Sequence, residues 1–253
     1  MSKSFSISIV SHDQISFISQ LLDDLATYVC DDSFEVILTI NIPESLPEYL
    51  KNYSFPIIIL NNAYPRGFGE NHNRAFQHAN GEFFCVLNPD IRLSENPFPS
   101  LIANLQDTSI GVIAPLVLDS NGAIEDSARH FPTPFSIGLK ALGMAPKHEY
   151  TFENQLFYPD WTGGMFLLFR RDIYAQIKGF NQKFFLYYED VDLCARIWNT
   201  HLKVALNPNV SIIHLARRTS HGNLRYLLMH LKSMLRFFVS FTFLKALFNK
   251  HAN

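Results

Sequence analysis

The chain has 253 residues, 47% of them hydrophobic and 17% charged. That balance excludes a disordered polypeptide and is long enough for one large core or two small ones. With 21 lysines and arginines against 23 acids, the formal net charge of −2 gives no footing for a nucleic-acid partner. The charge is unevenly spread, however: Arg217 to Asn253 carries +7 with no acid, and residues 1–216 carry −9. A basic segment on an acidic body calls for a partner or a surface. Cys30, Cys85 and Cys194 are widely spaced in apolar contexts, which fits buried thiols in a reducing compartment rather than a disulfide framework or metal cluster.

The N-terminal residues lack the apolar h-region of a signal peptide; residues 4–11 alternate apolar residues with serine and read as a strand. Ile15, Ile18, Leu22 and Leu25 follow at helical spacing, completing a βα unit. Strands are predicted at 35–40, 55–60 and 83–87, with a helix over 70–80 ended by Gly81. Apolar strands alternating with helices predict an α/β fold whose sheet is covered on both faces, with ligands at the carboxyl ends of its strands. Asn41, Asn61, Asn62 and the Asn88-Pro89-Asp90 turn fall at such ends. Residues 115–159, rich in Pro, Gly and polar side chains, read as loop. Beyond them come a strand at 165–169, helices at 172–178 and 190–200, an extended segment at 204–215 and a helical stretch over 223–250. The longest apolar run, Phe237 to Leu244, is interrupted by Ser240 and Thr242, well short of the ~20 residues a spanning helix needs.

Four segments carry residue types suited to chemistry. In Asn62 to Asn73, Gly67 and Gly69 precede a helix, where backbone amides could approach a diphosphate and Arg66 could add a bidentate donor; an ordinary glycine-rich connection is the plain alternative. Asp90, after an apolar strand, suits a hard divalent cation bridging nucleotide phosphates, or merely caps a turn. Glu189, Asp190 and Asp192 open a helix whose dipole favours ionised carboxylates, with Asp192 placed to pair with Arg196 at i+4. From Arg225 to Lys250, basic residues interleave with Leu, Met and Phe, as in an amphipathic helix on an anionic membrane; the competing reading packs Leu227, Leu228, Leu231 and Leu235 on the domain.

The ordered set is specific where its members are not. It comprises a first strand ending in Ser11-His12, Asn-x4-Gly-x-Gly-x3-Asn, Asn-Pro-Asp, Trp-x-Gly-Gly at 161–164, the Gly179 to Arg196 block with its Glu-Asp pair, and a late histidine, His214. Over roughly residues 4–240 the chain resembles family 2 glycosyltransferases, most of all bacterial rhamnosyltransferases acting on lipid-linked O-antigen precursors. The resemblance implies a GT-A fold, a mixed central sheet flanked by helices, over 1–216, with a basic amphipathic helical extension at 217–253.

The resemblance further implies an inverting transfer with Asp190 as base and Glu189 beside it. Ser11, Asn41, Arg66, Gly67, Gly69, Asn73, Asn88 and Asp90 would then be on the donor side. Trp161, Gly163, Gly164 and the loop arginine Arg129 would be on the acceptor side, and Asp90 and His214 would meet a divalent cation, Mg or Mn. The expected partners are a nucleotide-sugar donor, first dTDP-rhamnose, a polyprenyl-diphosphate-linked glycan acceptor and, through the C-terminal segment, the anionic inner face of the cytoplasmic membrane; a homo-oligomer is compatible. Galactose, galactofuranose or an N-acetylhexosamine from a UDP-sugar is the alternative, as is an inactive binding protein. The chain departs from the family pattern where Asn41 stands in place of a nucleotide-holding aspartate, and where the Asp-x-Asp metal motif is reduced to Asp90.

Overall fold

The computed structural model describes residues 4–29, 34–144, 146, 149–151, 153–215 and 224–250, with the side chains of 49, 51, 141 and 247–250 outside the description. Cys30, Arg217 and Arg218, and the boundary expected at 216, lie outside the described residues. Cys85 and Cys194 are free, buried thiols.

Strands β1 (Phe5–Ser11), β2 (Phe34–Ile40), β3 (Ile57–Asn61) and β4 (Phe83–Leu87) are mutually parallel where they pair. Helices α1 (Ile15–Tyr28) and α2 (Phe68–Phe76) connect them, with a short 3₁₀ turn at Glu48–Asn52. After β5 (Ile91–Arg92) and α3 (Phe98–Asn104) the chain enters β6 (Ile110–Leu118). It then forms β7 (Ala128–Arg129), α4 (Pro134–Ala141), β8 (Trp161–Thr162), β9 (Phe166–Arg170), α5 (Arg171–Gln176), α6 (Glu189–Trp198) and β10 (Lys203–His214). The main sheet runs β3-β2-β1-β4-β9-β6-β10-β5 and is mixed, because β9 runs antiparallel to both β4 and β6. A separate two-stranded ribbon pairs β7 with β8.

The pleat explains the alternation in β1. Phe5, Ile7 and Ile9 pack with α1 and α3 on one face of the sheet, while α2, α5 and α6 cover the other. Ser6 and Ser8, pointing to the second face, are fully buried and must therefore be bonded. Ser6 Oγ donates to Glu35 Oε1 at 2.7 Å, and Ser8 Oγ lies 2.7 Å from His72 Nδ1 on α2.

Three local expectations are corrected. The helix expected over 70–80 spans Phe68–Phe76, and Gly81 serves instead as a packing gap: a Cβ there would sit 2.5 Å from the backbone of Phe5. The expected loop at 115–159 begins inside β6 and contains α4. Gly111 and Pro115 disguise the strand, but Gly111 admits Ile197 and Leu202, and Pro115 falls where the β6–β10 register shifts. Helix α4 starts at a capping box in which Thr133 and Ser136 bond each other's backbone amides. The C-terminal stretch is two helices, α7 (Leu224–Phe238) and α8 (Phe241–Lys250), broken at Ser240, whose Oγ accepts from Phe243 N at 3.3 Å. Phe237, Phe243 and Ala246 are buried in the same cluster as Trp198 of α6.

Candidate active site

Two cavities frame the candidate site, one at the carboxyl ends of β1, β2 and β4 and one beside the small ribbon. The first, about 450 Å³, is bounded by His12 after β1, Asn41 after β2, Arg66 and His72 around the start of α2, and Asn88 and Asp90 after β4. The second, about 720 Å³, is bounded by Arg129 and Trp161 of the small ribbon, by α4, and by Glu189 and Asp190 of α6. The segment from Phe185 to Asp190 divides them: Phe185 and Leu186 face the first, Tyr187 to Asp190 the second.

In the first cavity the carboxamide of Asn41 organises the loop leading into α2. Its Oδ1 accepts from Arg66 N and Asn62 Nδ2, each at 2.8 Å, and its Nδ2 donates to Arg66 O at 3.1 Å. A neutral amide both donates and accepts here, which a carboxylate could not do. Arg66 is paired with Glu70 one turn on. His72 is 1% exposed and is held neutral by burial, its pKa lowered to about 3; its Nε2 has no hydrogen-bond partner. Asp90 Oδ1 is likewise buried and unpartnered.

That orphan oxygen fits one bond to a hard cation whose other ligands would be phosphate and water. His214, the other residue expected at the cation, lies beside Asp90. Its Nδ1 lies 2.8 Å from Glu125 Oε2 and its Nε2 3.5 Å from Asp90 Oδ2, and hydrogen bonds and charge from the two carboxylates outweigh burial to raise its pKa to about 9. A cation bound here would take the place of the imidazole proton. Among the described residues, no group of three or more His, Cys, Asp and Glu side chains is arranged to hold a metal ion.

In the second cavity, Asp190 is held by backbone donors: Val191 N to Oδ1 at 2.8 Å and Gly164 N to Oδ2 at 3.2 Å. Burial raises its pKa while these amides oppose the rise. Glu189 is buried, and desolvation with the neighbouring Asp190 charge pushes its pKa up to about 8. Tyr187 and Tyr188 precede them with φ of 70° and 65°. Two left-handed non-glycine residues in a row store ~1–2 kcal/mol each, strain set just where the acids are aimed. Arg129 faces Trp161 across the ribbon, its guanidinium 5.5 Å from the indole and its Nε 2.8 Å from Asp126.

The structure thus brings Asn41, Arg66, Asn88 and Asp90 to one cavity and Trp161, Arg129, Glu189 and Asp190 to the other. The remaining expected site residues act behind them. Ser11 Oγ accepts from Gln14 N at 3.3 Å. Gly67 and Gly69 admit the chain at Phe185 and Phe180, where a Cβ would fall 2.8 and 2.4 Å from those residues, and Phe68 N is spent on Phe185 O. The turn is therefore a packing joint in which the Phe68 amide is already bonded. Asn73 accepts from Phe180 N and Tyr174 Oη, both at 2.8 Å, and lies off the cavity. Gly164 supports Asp190 directly, and Gly163 N donates to Ser127 O. Asp192 pairs with Arg196 at 2.8 Å, as its spacing predicts. Sequence reasoning gave no role to Asn71 and His72, which line the first cavity; both occupy the inward face of α2, the one signal that could have found them.

Residues 6–177 match the family described as Glycosyl transferase family 2. The chain belongs to that family. Its relatives include rhamnosyltransferases. Residues 147–221 also match the N-terminal domain of galactosyltransferase. The chain is 27% identical to rhamnosyltransferase WbbL of Escherichia coli K12 over 91% of both chains. It is 29% identical to the N-acetylglucosaminyl-diphospho-decaprenol L-rhamnosyltransferase of Mycobacterium tuberculosis over 60% of this chain and 53% of that one. Among solved structures, GalNAc-T7 with UDP, GalNAc and Mn2+ superposes with a TM-score of 0.69 at 15% identity, covering 93% of this chain and 47% of that one. S. aureus TarS 1–349 with UDP-GlcNAc gives 0.66 at 13%, covering 94% and 67%. The fold is therefore the GT-A nucleotide-sugar transferase fold, with its mixed sheet and flanking helices.

Proposed function

We propose that this glycosyltransferase moves L-rhamnose from dTDP-L-rhamnose, with inversion, onto a sugar of a polyprenyl-diphosphate-linked glycan. It would work in the cytoplasm against the inner face of the membrane, in the synthesis of a bacterial surface polysaccharide. The observation that carries the reading is the position of Asp190, which lines a cavity suited to a sugar acceptor at the end of the segment whose first residues, Phe185 and Leu186, line the cavity suited to a nucleoside diphosphate. The relatives named for rhamnosyl transfer to a diphospho-decaprenol acceptor support the choice of sugar and lipid.

In this reaction an acceptor hydroxyl oxygen bonds to the anomeric carbon as the bond from that carbon to the diphosphate oxygen breaks. Asp190 takes the hydroxyl proton, and the nucleoside diphosphate departs with the electron pair. Negative charge growing on the diphosphate faces Arg66 and the neutral His72, whose Nε2 can donate if Ser8 Oγ donates to Nδ1. A bound Mg or Mn ion at Asp90 would neutralise part of that charge. Trp161 offers an apolar face to the acceptor sugar, with Arg129 fixed against it.

The match to a galactosyltransferase domain favours one second reading, a UDP-hexose donor. Nucleoside diphosphate release from a panel of dTDP- and UDP-sugars, with N-acetylglucosaminyl-diphospho-isoprenoid as acceptor, decides between them. Fastest release from dTDP-rhamnose supports the proposal, and preference for UDP-galactose or UDP-N-acetylhexosamine overturns it.

A further inference from the structure

Helix α7 divides its residues by direction. At 100° per residue, Leu224, Leu227, Leu228, Leu231 and Leu235 fall within an arc of about 100°. They are 68, 54, 57, 40 and 60% exposed, so they do not pack on the domain. Ser233 and Phe237, on the opposite side, are the buried residues of this helix, and Ser233 Oγ donates to Leu186 O at 2.9 Å. On that same inner side Arg225, Tyr226 and Met229 wall the donor cavity, and His230 reaches the acceptor cavity. Both buried anchors lie in the C-terminal half of the helix, while the half that borders the donor cavity is held by His230, packed edge-on against Tyr187 and Tyr188.

The outer face is matched to one kind of surface. The leucine stripe runs ~17 Å along the helix and continues at α8 with Phe241 and Leu244, 78 and 50% exposed. Lys232 and Arg236 line one edge of the stripe, Lys245 follows on α8, and neither helix contains an acid. An apolar stripe edged by cations is complementary to the anionic leaflet of a bilayer. A second copy of the chain would bring like charges together, and no helix among the described residues is long and apolar enough to cross a membrane.

We propose that α7 is a bilayer-seated wall of the donor cavity. Its leucine stripe lies in the apolar layer of an anionic leaflet while Arg225, Tyr226 and Met229 close on the nucleotide sugar, so membrane seating and donor binding reinforce each other. The inference deepens the transferase reading and rests on it for the identity of the nucleotide. Because both ligands favour one placement of α7, the coupling is reciprocal: lipid strengthens nucleotide binding by the factor by which nucleotide strengthens lipid binding. Such an enzyme holds its donor best at the surface where a lipid-linked acceptor is anchored.

The test uses the full chain, with dTDP and UDP titrated calorimetrically, without lipid and with vesicles of phosphatidylglycerol and phosphatidylethanolamine. Vesicle binding is read by cosedimentation. We expect binding to anionic but not to phosphatidylcholine vesicles, and an affinity for the nucleotide at least fivefold higher on anionic vesicles. Leu228→Ser with Leu231→Ser, at exposed positions where the fold is untouched, should cut vesicle binding at least tenfold and abolish the lipid-dependent gain, leaving nucleotide affinity in plain buffer unchanged. Arg225→Gln should retain most vesicle binding and weaken the nucleotide. Vesicle binding without any change in nucleotide affinity overturns the proposal, as does absence of vesicle binding, or a dimer in sedimentation that the leucine substitutions dissolve. No readout requires sugar transfer, so a chain that behaves as expected yet transfers nothing refutes the transferase reading alone.

Discussion

Replacing Asp190 by Asn changes one oxygen to an amide nitrogen and removes the charge that can accept a proton. General-base catalysis contributes about 10²–10⁴ in rate, which at ~1.4 kcal/mol per decade is ~3–5 kcal/mol of transition-state stabilisation. The same change disturbs the ground state of the protein. Both carboxylate oxygens accept from backbone amides, Val191 N at 2.8 Å and Gly164 N at 3.2 Å, and Asn can satisfy only one of them while its own NH2 faces the other. That mismatch costs about 1–3 kcal/mol of folding stability. The two effects are separable: transfer is measured as nucleoside diphosphate release at 20 °C, thermal unfolding reports the stability loss, and nucleotide titration reports the neighbouring cavity. We expect release to fall at least a hundredfold, nucleotide affinity to stay within threefold, and the melting temperature to drop by a few degrees. A folded Asp190→Asn protein retaining more than a tenth of wild-type release would refute the role given to this carboxylate.

Glu189 gives a stability signature. It holds its proton to about pH 8 when folded and to 4.5 when free, so between those values the native state binds more protons and stability falls as pH rises. Glu189→Gln should flatten that fall, seen as urea midpoints that diverge less between pH 5.5 and 8; parallel slopes would remove the buried acid from the account. Gly179, at φ +58°, would place a Cβ 2.1 Å from Asn73 Oδ1, an oxygen fixed by Phe180 N and Tyr174 Oη. Gly179→Ala should lose about 3 kcal/mol, or ~6–12 °C by calorimetry, whereas Gly122→Ala, at φ +79° in open space, loses only the backbone strain of about 1 kcal/mol. Trp161→Ala removes the acceptor-side apolar face and the support of Arg129, and should raise the acceptor KM about tenfold while nucleotide titrations are unchanged. Equal losses on both substrates would make Trp161 a folding residue instead.

What the sequence exposed and what it hid follow one physical division. Strands β1, β2 and β4 and the opening of α6 were legible because burial on a sheet face and a helix start write local patterns: serine alternation, β-branched runs, three acids in one turn. Asp190 could be singled out for that reason. The reason it points into a cavity could not, since it depends on Tyr187 and Tyr188 adopting left-handed backbone and on an amide contributed by Gly164, twenty-six residues away. The glycines show the same limit from the other side. A Gly-x-Gly before a helix is written identically whether its amides cradle a phosphate or its missing side chains admit a neighbouring segment, and only the positions of Phe180 and Phe185 reveal the packing role. Asn73 was misplaced by the same ambiguity, because an amide that organises a turn and an amide that binds a ligand are the same residue. Residue type tells what a side chain can bond; the fold tells which partner has already taken the bond. On that distinction Asp90 Oδ1 and His72 Nε2, buried without a partner and set in the wall of one cavity, carry information that no motif could, since a ligand there would complete their bonds.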